Sequence, residues 1–571
     1  MLDVLIRNGT VVDGTGDPGR VGDVGIRDGR IVAIGRIDEP AHRTIDADGK
    51  VVAPGFVDVH THYDAQVFFD TTLSPSPLHG VTTVIGGNCG FTIAPLGPEH
   101  GDYLMRMLAR VEGMPLAALA EAVPWDWASF GEYLDRIDGT LAPNAGFLAG
   151  HSTIRRVVMG ERATSGEATT DDLAAMEQLL AESLAAGALG FSSSWARTHN
   201  DGEGDMVPSR YASDDELIAL CTVVGRYPGT TLEFIPGVGQ FEDFAADLMT
   251  RMSLAADRPL NWNVLFVAAG NQSMVDHNLA ASDYAAERGA RVLALTMPDA
   301  PSPRICFDSG FLLDTIPGWQ KPMALPHDEK KQMLATAEGR AALTDAAAQG
   351  KALVGVANWG NYVIDETFAP ENKHYEGRIV ADLAREQDRD PFDVVCDIVV
   401  ADDLMTGLGF ARGPERVEDW EARVKVWRDS RAVVGASDAG AHLDFLATFN
   451  YSTAMLGKAV REYKLMPMEE AIRLLTDVPA RLYGLKERGR LEEGWFADVV
   501  VIDPETIGPH PVRMRFDLPT GAPRLFGGAD GIDHVLVNGT EIVDHGEFTD
   551  ARPGTVFRSG RDTETVTASG K

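Results

Sequence analysis

Gly55-Phe56-Val57-Asp58-Val59-His60-Thr61-His62 is the stretch on which the reading of this chain turns. A short apolar, β-branched run delivers two histidines, one residue apart, at its end. Side chains two apart on a strand share a face and stand about 7 Å apart along it. Two imidazoles so spaced can ligate one metal ion side by side. Imidazole suits zinc and neighbouring divalent metals, and a catalytic site needs about three protein ligands and one open position. The alternative, two polar residues that bind nothing, would waste polar groups on a half-buried strand.

Downstream, strands and helices alternate. In one clear unit Thr170 is expected as the N-cap, and Asp171 and Asp172 complement the positive helix end. Leu173, Met176, Leu180 and Leu184 form the apolar stripe, Gly187 stops the helix, and Leu189-Gly190-Phe191-Ser192 opens the next strand. The same reading gives strand ends near His62, Cys89, His151, Ser194, Phe234, Asn263, Thr296 and Asp438. Eight such ends, most followed by helical segments, predict an α/β fold, a (β/α)₈ TIM barrel over residues 55–480. Residues 300–430 read as an insertion covering the active site, with a strand-like piece at Ala352–Val356. Residues 1–54 and 481–571 share a texture of short strands and tight turns, which predicts a small β-sandwich domain built from both termini. The tail from Arg552 is expected to be loosely held.

The 571 residues are 44% hydrophobic, ordinary for a globular protein with a sizeable core. A formal charge of −34 argues against nucleic acid and anionic membranes as partners. Cys89, Cys221, Cys306 and Cys396 are too few for a disulfide framework and fit a reducing compartment. With no signal peptide or membrane span in view, a soluble, cytoplasmic protein is expected. Self-association into a homo-oligomer stays open.

In barrels of this kind chemistry sits at the C-terminal strand ends. His60 and His62 end the first strand and Asp438 the last; these strands are neighbours in a closed barrel, so the three can converge. Asp438 there can bind metal and accept a proton from water. Cys89, among glycines at the second strand end, offers a thiolate ligand; the alternative is the inert buried thiol assumed for the other cysteines. His151 is a candidate for positioning substrate, or a structural histidine. Ser193, Trp195, Arg197 and His199 form a polar, aromatic and cationic cluster suited to a carboxylate-bearing ligand, with Arg197 or Arg210 as anion partner or in a surface ion pair.

The run Val57-Asp58-Val59-His60-Thr61-His62-Tyr63-Asp64 after Ala53-Pro54-Gly55 resembles the metal-dependent amidohydrolase superfamily, as does Gly489-Arg490-Leu491-Glu492-Glu493-Gly494-Trp495-Phe496-Ala497-Asp498. Gly87-Asn88-Cys89-Gly90, Ala94-Pro95-Leu96, Phe147-Leu148-Ala149-Gly150-His151-Ser152-Thr153 and Ala436-Ser437-Asp438 resemble its D-aminoacylase branch, the N-acyl-D-amino-acid deacylases. The resemblance implies zinc and hydrolysis of an amide C–N bond in a small molecule. His60 and His62 fall on its first ligand pair, Cys89 on its ligating cysteine and Asp438 on its catalytic aspartate. The branch carries histidines at the ends of strands five and six, where this chain has Thr230-Thr231-Leu232-Glu233-Phe234 and Leu260-Asn261-Trp262-Asn263. Glu233 is a stand-in oxygen ligand, and Asn261 or Asn263 a hydrogen-bonder facing the site. One divalent metal is the economical expectation, two remaining open. A cyclic-amide hydrolase and a non-catalytic binding protein are the competing readings.

Overall fold

The computed structural model describes every residue except 98, 299–302, 311, 351–354, 412–414 and 571. Its organisation follows from strands that bury both faces. The strand Val51–Pro54 pairs in parallel with Leu2–Val11 and antiparallel with Val499–Ile502, with Val52 opposite Val501. Along these two strands the side chains alternate between two cores. Val52, Val499 and Val501 join Val4, Ile6, Val24, Ile26 and Leu536. Val51, Ala53, Val500 and Ile502 join the main core. That period of two is why near-continuous valine runs occur here. The resulting nine-stranded sheet runs from Arg30–Gly35 at one edge to Glu547–Phe548 at the other, so both halves of the chain contribute.

Beside this sheet, parallel strands succeed one another in chain order. Phe56–Asp58, Val81–Gly86 and Asn144–Phe147 form one set. Ala149–Gly150, Gly190–Ser194, Thr231–Ile235, Leu260–Leu265, Val292–Thr296 and Ala432–Val434 form the next. The sets share one segment, interrupted at Leu148, whose N–H donates to Gly86 O at 3.0 Å. Past the last strand the chain returns to the first: Thr61 bridges Ala439 in parallel, and Asp438 N–H donates to His60 O at 3.0 Å. The observed strands end within a few residues of the expected positions, except that Cys89 sits in a short turn, Asn88–Gly90, and His151 opens the helix His151–Met159.

Two expectations need correction, and a third lies largely outside the described residues. The helix Thr170–Ala186 is capped by Thr169, not Thr170. Thr169 Oγ1 accepts from Asp172 N–H at 3.2 Å while Asp172 accepts from Thr169 N–H at 3.0 Å, a reciprocal pair that needs the acid three residues on. The strand-like piece Ala352–Val356 falls largely on residues outside those described; Gly355 and Val356 lie in a turn. The tail beyond Arg552 is held rather than loose. Ala145 N–H donates to Thr555 O at 3.0 Å and Phe557 N–H to Ala145 O at 2.7 Å, and Val556 and Phe557 are buried. An apolar pair laid along a strand gains both ladder bonds and burial.

The segment between the seventh and eighth strands of the succession carries its own core, including Ile305, Phe307, Trp319, Tyr362, Phe392 and Leu408. Among the described residues no helix is long and apolar enough to cross a membrane. All four cysteines are buried and unpaired with one another.

Candidate metal centre

His60 and His62 leave the first strand with their rings edge to face, centroids 5.2 Å apart, and both are buried. Their Nε2 atoms meet one carboxylate oxygen: Asp438 Oδ1 lies 3.4 Å from His60 and 3.1 Å from His62. Cys89 approaches from the second strand, its Sγ 3.6 Å from His60 Nε2. Asp438 and Cys89 both sit in the left-handed backbone region, at φ 57° and 56°. A non-glycine residue there costs roughly 1 kcal/mol, so the surrounding fold holds both side chains in place against local preference. Gly87 makes the turn before Cys89 feasible: its φ is 74°, and a Cβ there would stand 2.3 Å from Leu148 O.

The electrostatics follow from burying these groups together. Burial, then the nearby Glu233, Asp438 and Glu112, push the Cys89 thiol well above its ordinary pKa. Burial opposes ionisation of Asp438, but the hydrogen bonds from His60 and His62 overcome it and hold its pKa well below the ordinary range. His60 is pulled down by burial. His62 is also penalised by burial, yet Glu112 and Asp438 raise it to about 9. Glu112 and Glu233 are each raised to about 8, chiefly by burial. Among the described residues no lysine or arginine pairs with Glu112, Glu233 or Asp438, so only the His62 imidazolium offsets these acids.

A divalent ion fits that deficit. His60, His62 and Cys89 each place a ligand atom within 4.8 Å of the others, and Asp438 Oδ1 adjoins both imidazoles. Among the described residues His60 Nδ1 is buried without a hydrogen-bond partner. Two imidazoles, a thiol and a carboxylate are a donor set suited to zinc.

The other expected residues divide. Glu233 lies behind Cys89: its Oε2 accepts from the Cys89 N–H at 2.9 Å, and its Oε1 accepts from the Asn263 amide. Asn263 lines the cavity, whereas the Asn261 amide donates to Leu232 O at 3.0 Å. His151 and Ser193 stand apart from the cavity. His151 Nδ1 is 2.8 Å from Ser193 Oγ and its Nε2 is 2.8 Å from Glu216 Oε1, with all three buried. As the first residue of its helix, His151 turns its Nε2 to Glu216 on the helix Asp214–Val224 and its Nδ1 to Ser193 on the strand Gly190–Ser194, so both ring nitrogens are occupied. His199 does line the cavity, with Nδ1 2.7 Å from Ser194 Oγ; burial and His442 lower its pKa to about 3. Trp195 and Arg197 line an adjoining cavity, and Arg197 pairs with Glu242 at 2.8 Å.

Two residues escaped the sequence reading. Glu112 caps the C-terminal end of the helix Gly101–Val111 and brings its Oε1 to 3.2 Å from His62 Nδ1. His442 stands with Nε2 3.5 Å from Asp438 Oδ2, and its N–H donates to Glu112 O. A histidine four residues past Asp438 was a usable signal; Glu112, on a distant helix end, gave none.

The centre lines a cavity of about 190 Å³ whose walls also include Val264, Phe266, Met297, Leu312, Phe445 and Leu446. The adjoining cavity, about 530 Å³, shares Thr198 and Val238 with it and contains Arg210. Among the described residues no carboxylate lies within ion-pair distance of the Arg210 guanidinium, which donates to Arg197 O at 3.4 Å.

Comparison with known proteins places this geometry among relatives. The family model described as "Amidohydrolase family" matches residues 43–543. D-aminoacylase of Alcaligenes xylosoxydans xylosoxydans is 28% identical over 562 residues, covering 97% of each chain. N-acyl-D-glutamate deacylase of the same organism is 30% identical over 565 residues, covering 98% of this chain and 96% of the relative. The crystal structure of N-acyl-D-glutamate deacylase from Bordetella bronchiseptica, complexed with zinc and a phosphonate mimic of the tetrahedral intermediate, superposes with a TM-score of 0.66 at 27% identity, covering 98% of this chain and all of the other.

Proposed function

The chain belongs to the amidohydrolase family, and from that premise we propose that it is a metal-dependent hydrolase opening the C–N amide bond of an N-acyl amino acid. The observation that carries this reading is the meeting of His60, His62 and Cys89 with Asp438 in the wall of a largely apolar cavity. Relatives named as D-aminoacylase and N-acyl-D-glutamate deacylase support the same reaction class.

We read the succession of parallel strands as a (β/α)₈ barrel over residues 55–480, with an insertion at about 300–430 and a β-domain from residues 1–54 and 481–571. Chemistry at the C-terminal strand ends agrees with that architecture. His60, His62, Cys89 and Asp438 would hold one divalent ion, zinc by donor type, with Glu233 and Asn263 occupying the strand ends that would complete a second site. When bound, the ion supplies Lewis-acid polarisation of the scissile carbonyl and a more acidic water.

The chain's own groups do the rest. Asp438 Oδ1 faces the two imidazoles, which leaves Oδ2, on the His442 side, to accept a proton from water and return it to the leaving amine nitrogen. Glu112 keeps the His62 ring in register through Nδ1. The walls of Val264, Phe266, Met297 and Leu312 exclude water and take an apolar acyl group or side chain. Arg210, a half-buried cation with no carboxylate partner among the described residues, receives the substrate carboxylate. Four buried thiols suit a cytoplasmic enzyme.

The test is a substrate panel on zinc-reconstituted protein: N-acetyl and longer N-acyl derivatives of both enantiomers of apolar amino acids, their carboxamides, and cyclic amides. Turnover of the acyclic carboxylates, lost on chelation, is expected. Ring opening of cyclic amides with no acyclic turnover would replace this reading with the cyclic-amide one.

A further inference from the structure

Far from the pocket residues in sequence, the hairpin of Ile532–Val537 and Thr540–Asp544 gathers a second set of metal-binding donors. His534 and Asp544 are direct cross-strand partners. The register then shifts, with Val535 opposite Val543 but Leu536 opposite Glu541, so Ile542 is an extra residue in its strand. Residues three apart normally face opposite sides of a strand; the bulge turns Glu541 and Asp544 to the same side, toward His534. His545 follows in a tight turn at φ 48°, a left-handed conformation that non-glycine residues seldom adopt. That turn folds its ring back to 4.7 Å from the His534 ring.

The donor atoms are sorted by direction. Asp544 Oδ1 is 2.6 Å from His545 Nδ1 and 3.4 Å from His534 Nδ1, while Glu541 Oε1 is 2.7 Å from His534 Nδ1. Arg43 takes the opposite oxygens, Oε2 of Glu541 at 2.5 Å and Oδ2 of Asp544 at 3.4 Å. The inward oxygens are thereby left with the two imidazoles, and His534, Asp544 and His545 each offer a ligand atom within 4.8 Å of the others.

We propose that His534, His545, Asp544 and Glu541 form a divalent transition-metal site of zinc type, separate from the pocket centre. Two imidazoles with carboxylates are a four-donor set that zinc accepts. Arg43 fixes the carboxylates from outside, so the ion fastens the hairpin to the strand Ala41–Asp46 from the other half of the chain.

The experiment counts metal. Full-length protein carrying His60→Ala and His62→Ala, to empty the pocket, is dialysed against micromolar free zinc and analysed by atomic emission. One zinc per chain is expected to remain, to be lost on adding His545→Gln or His534→Gln, and to raise the thermal midpoint only where both histidines are intact. His545 is on the surface, so its substitution leaves folding untouched, which a circular dichroism spectrum verifies. Equal zinc content with and without His545→Gln would overturn the site.

Discussion

His62 stands between two carboxylates: Glu112 Oε1 lies 3.2 Å from Nδ1, outside hydrogen-bond geometry, and Asp438 Oδ1 lies 3.1 Å from Nε2. A carboxylate on the far nitrogen of a ligating histidine fixes its tautomer and orientation, and its loss typically costs 10–100-fold in metal affinity. Glu112→Gln is therefore expected to weaken zinc binding by about that factor. Competition with a chelating dye reads the change directly, and unaltered affinity would leave Glu112 with a packing role.

Asp438→Asn keeps the shape of the side chain and removes its capacity to carry a proton. Turnover should fall by about 10³-fold, in the range of general-base losses, while the thermal midpoint stays close to that of the parent. A rate within tenfold of the parent would take the base assignment away from Asp438.

Arg210→Met separates carboxylate recognition from catalysis. A charge-assisted hydrogen bond is worth about 1.5–3 kcal/mol, so KM for an N-acyl amino acid should rise about 10–100-fold. The corresponding carboxamide should be indifferent to the substitution. A parallel loss with both substrates would show that Arg210 shapes the cavity instead.

Acid should destabilise the fold through His79. Its ring lies between Thr453 Oγ1 at 2.8 Å and Gly527 O at 3.1 Å, and burial lowers its pKa from 6.5 to about 4. The unfolded chain binds the proton more readily, so this contribution is complete above pH 6.5 and is lost as pH falls toward 4. At full effect it amounts to about 3 kcal/mol. Denaturant midpoints from pH 7.5 to 4 should fall more steeply in the parent than in His79→Gln; parallel slopes would exclude His79 as the acid-sensitive group.

The parts of the site that sequence made legible are those whose meaning is local. The His60-Thr61-His62 alternation, the glycine-flanked Cys89 and Asp438 after a valine-rich strand all declare themselves within a few residues, and the structure gathers them. His151 stayed open between a substrate-positioning and a structural role because its partners lie elsewhere in the chain: Ser193 on another strand and Glu216 on another helix take up both nitrogens. Glu112 was invisible for the same reason, being a helix-end acid whose use depends on where that helix packs. The tail misled because Val556-Phe557 looks like any short apolar pair until Ala145 offers it a ladder. The N-cap at Thr169 was missed by one residue although Asp172 three positions on announced it.

The pairing of Val51–Pro54 with Val499–Ile502 bears on how the protein is made. Translation delivers the early strands long before their antiparallel partner exists, with nearly the whole catalytic region to be synthesised in between. Until then the partner-facing side of Val51–Pro54 is an unpaired, apolar strand edge, the kind that recruits wrong neighbours. Contacts so distant in sequence also make for slow closure. Expression yield should therefore respond to chaperone supply more than to the stability of the finished molecule.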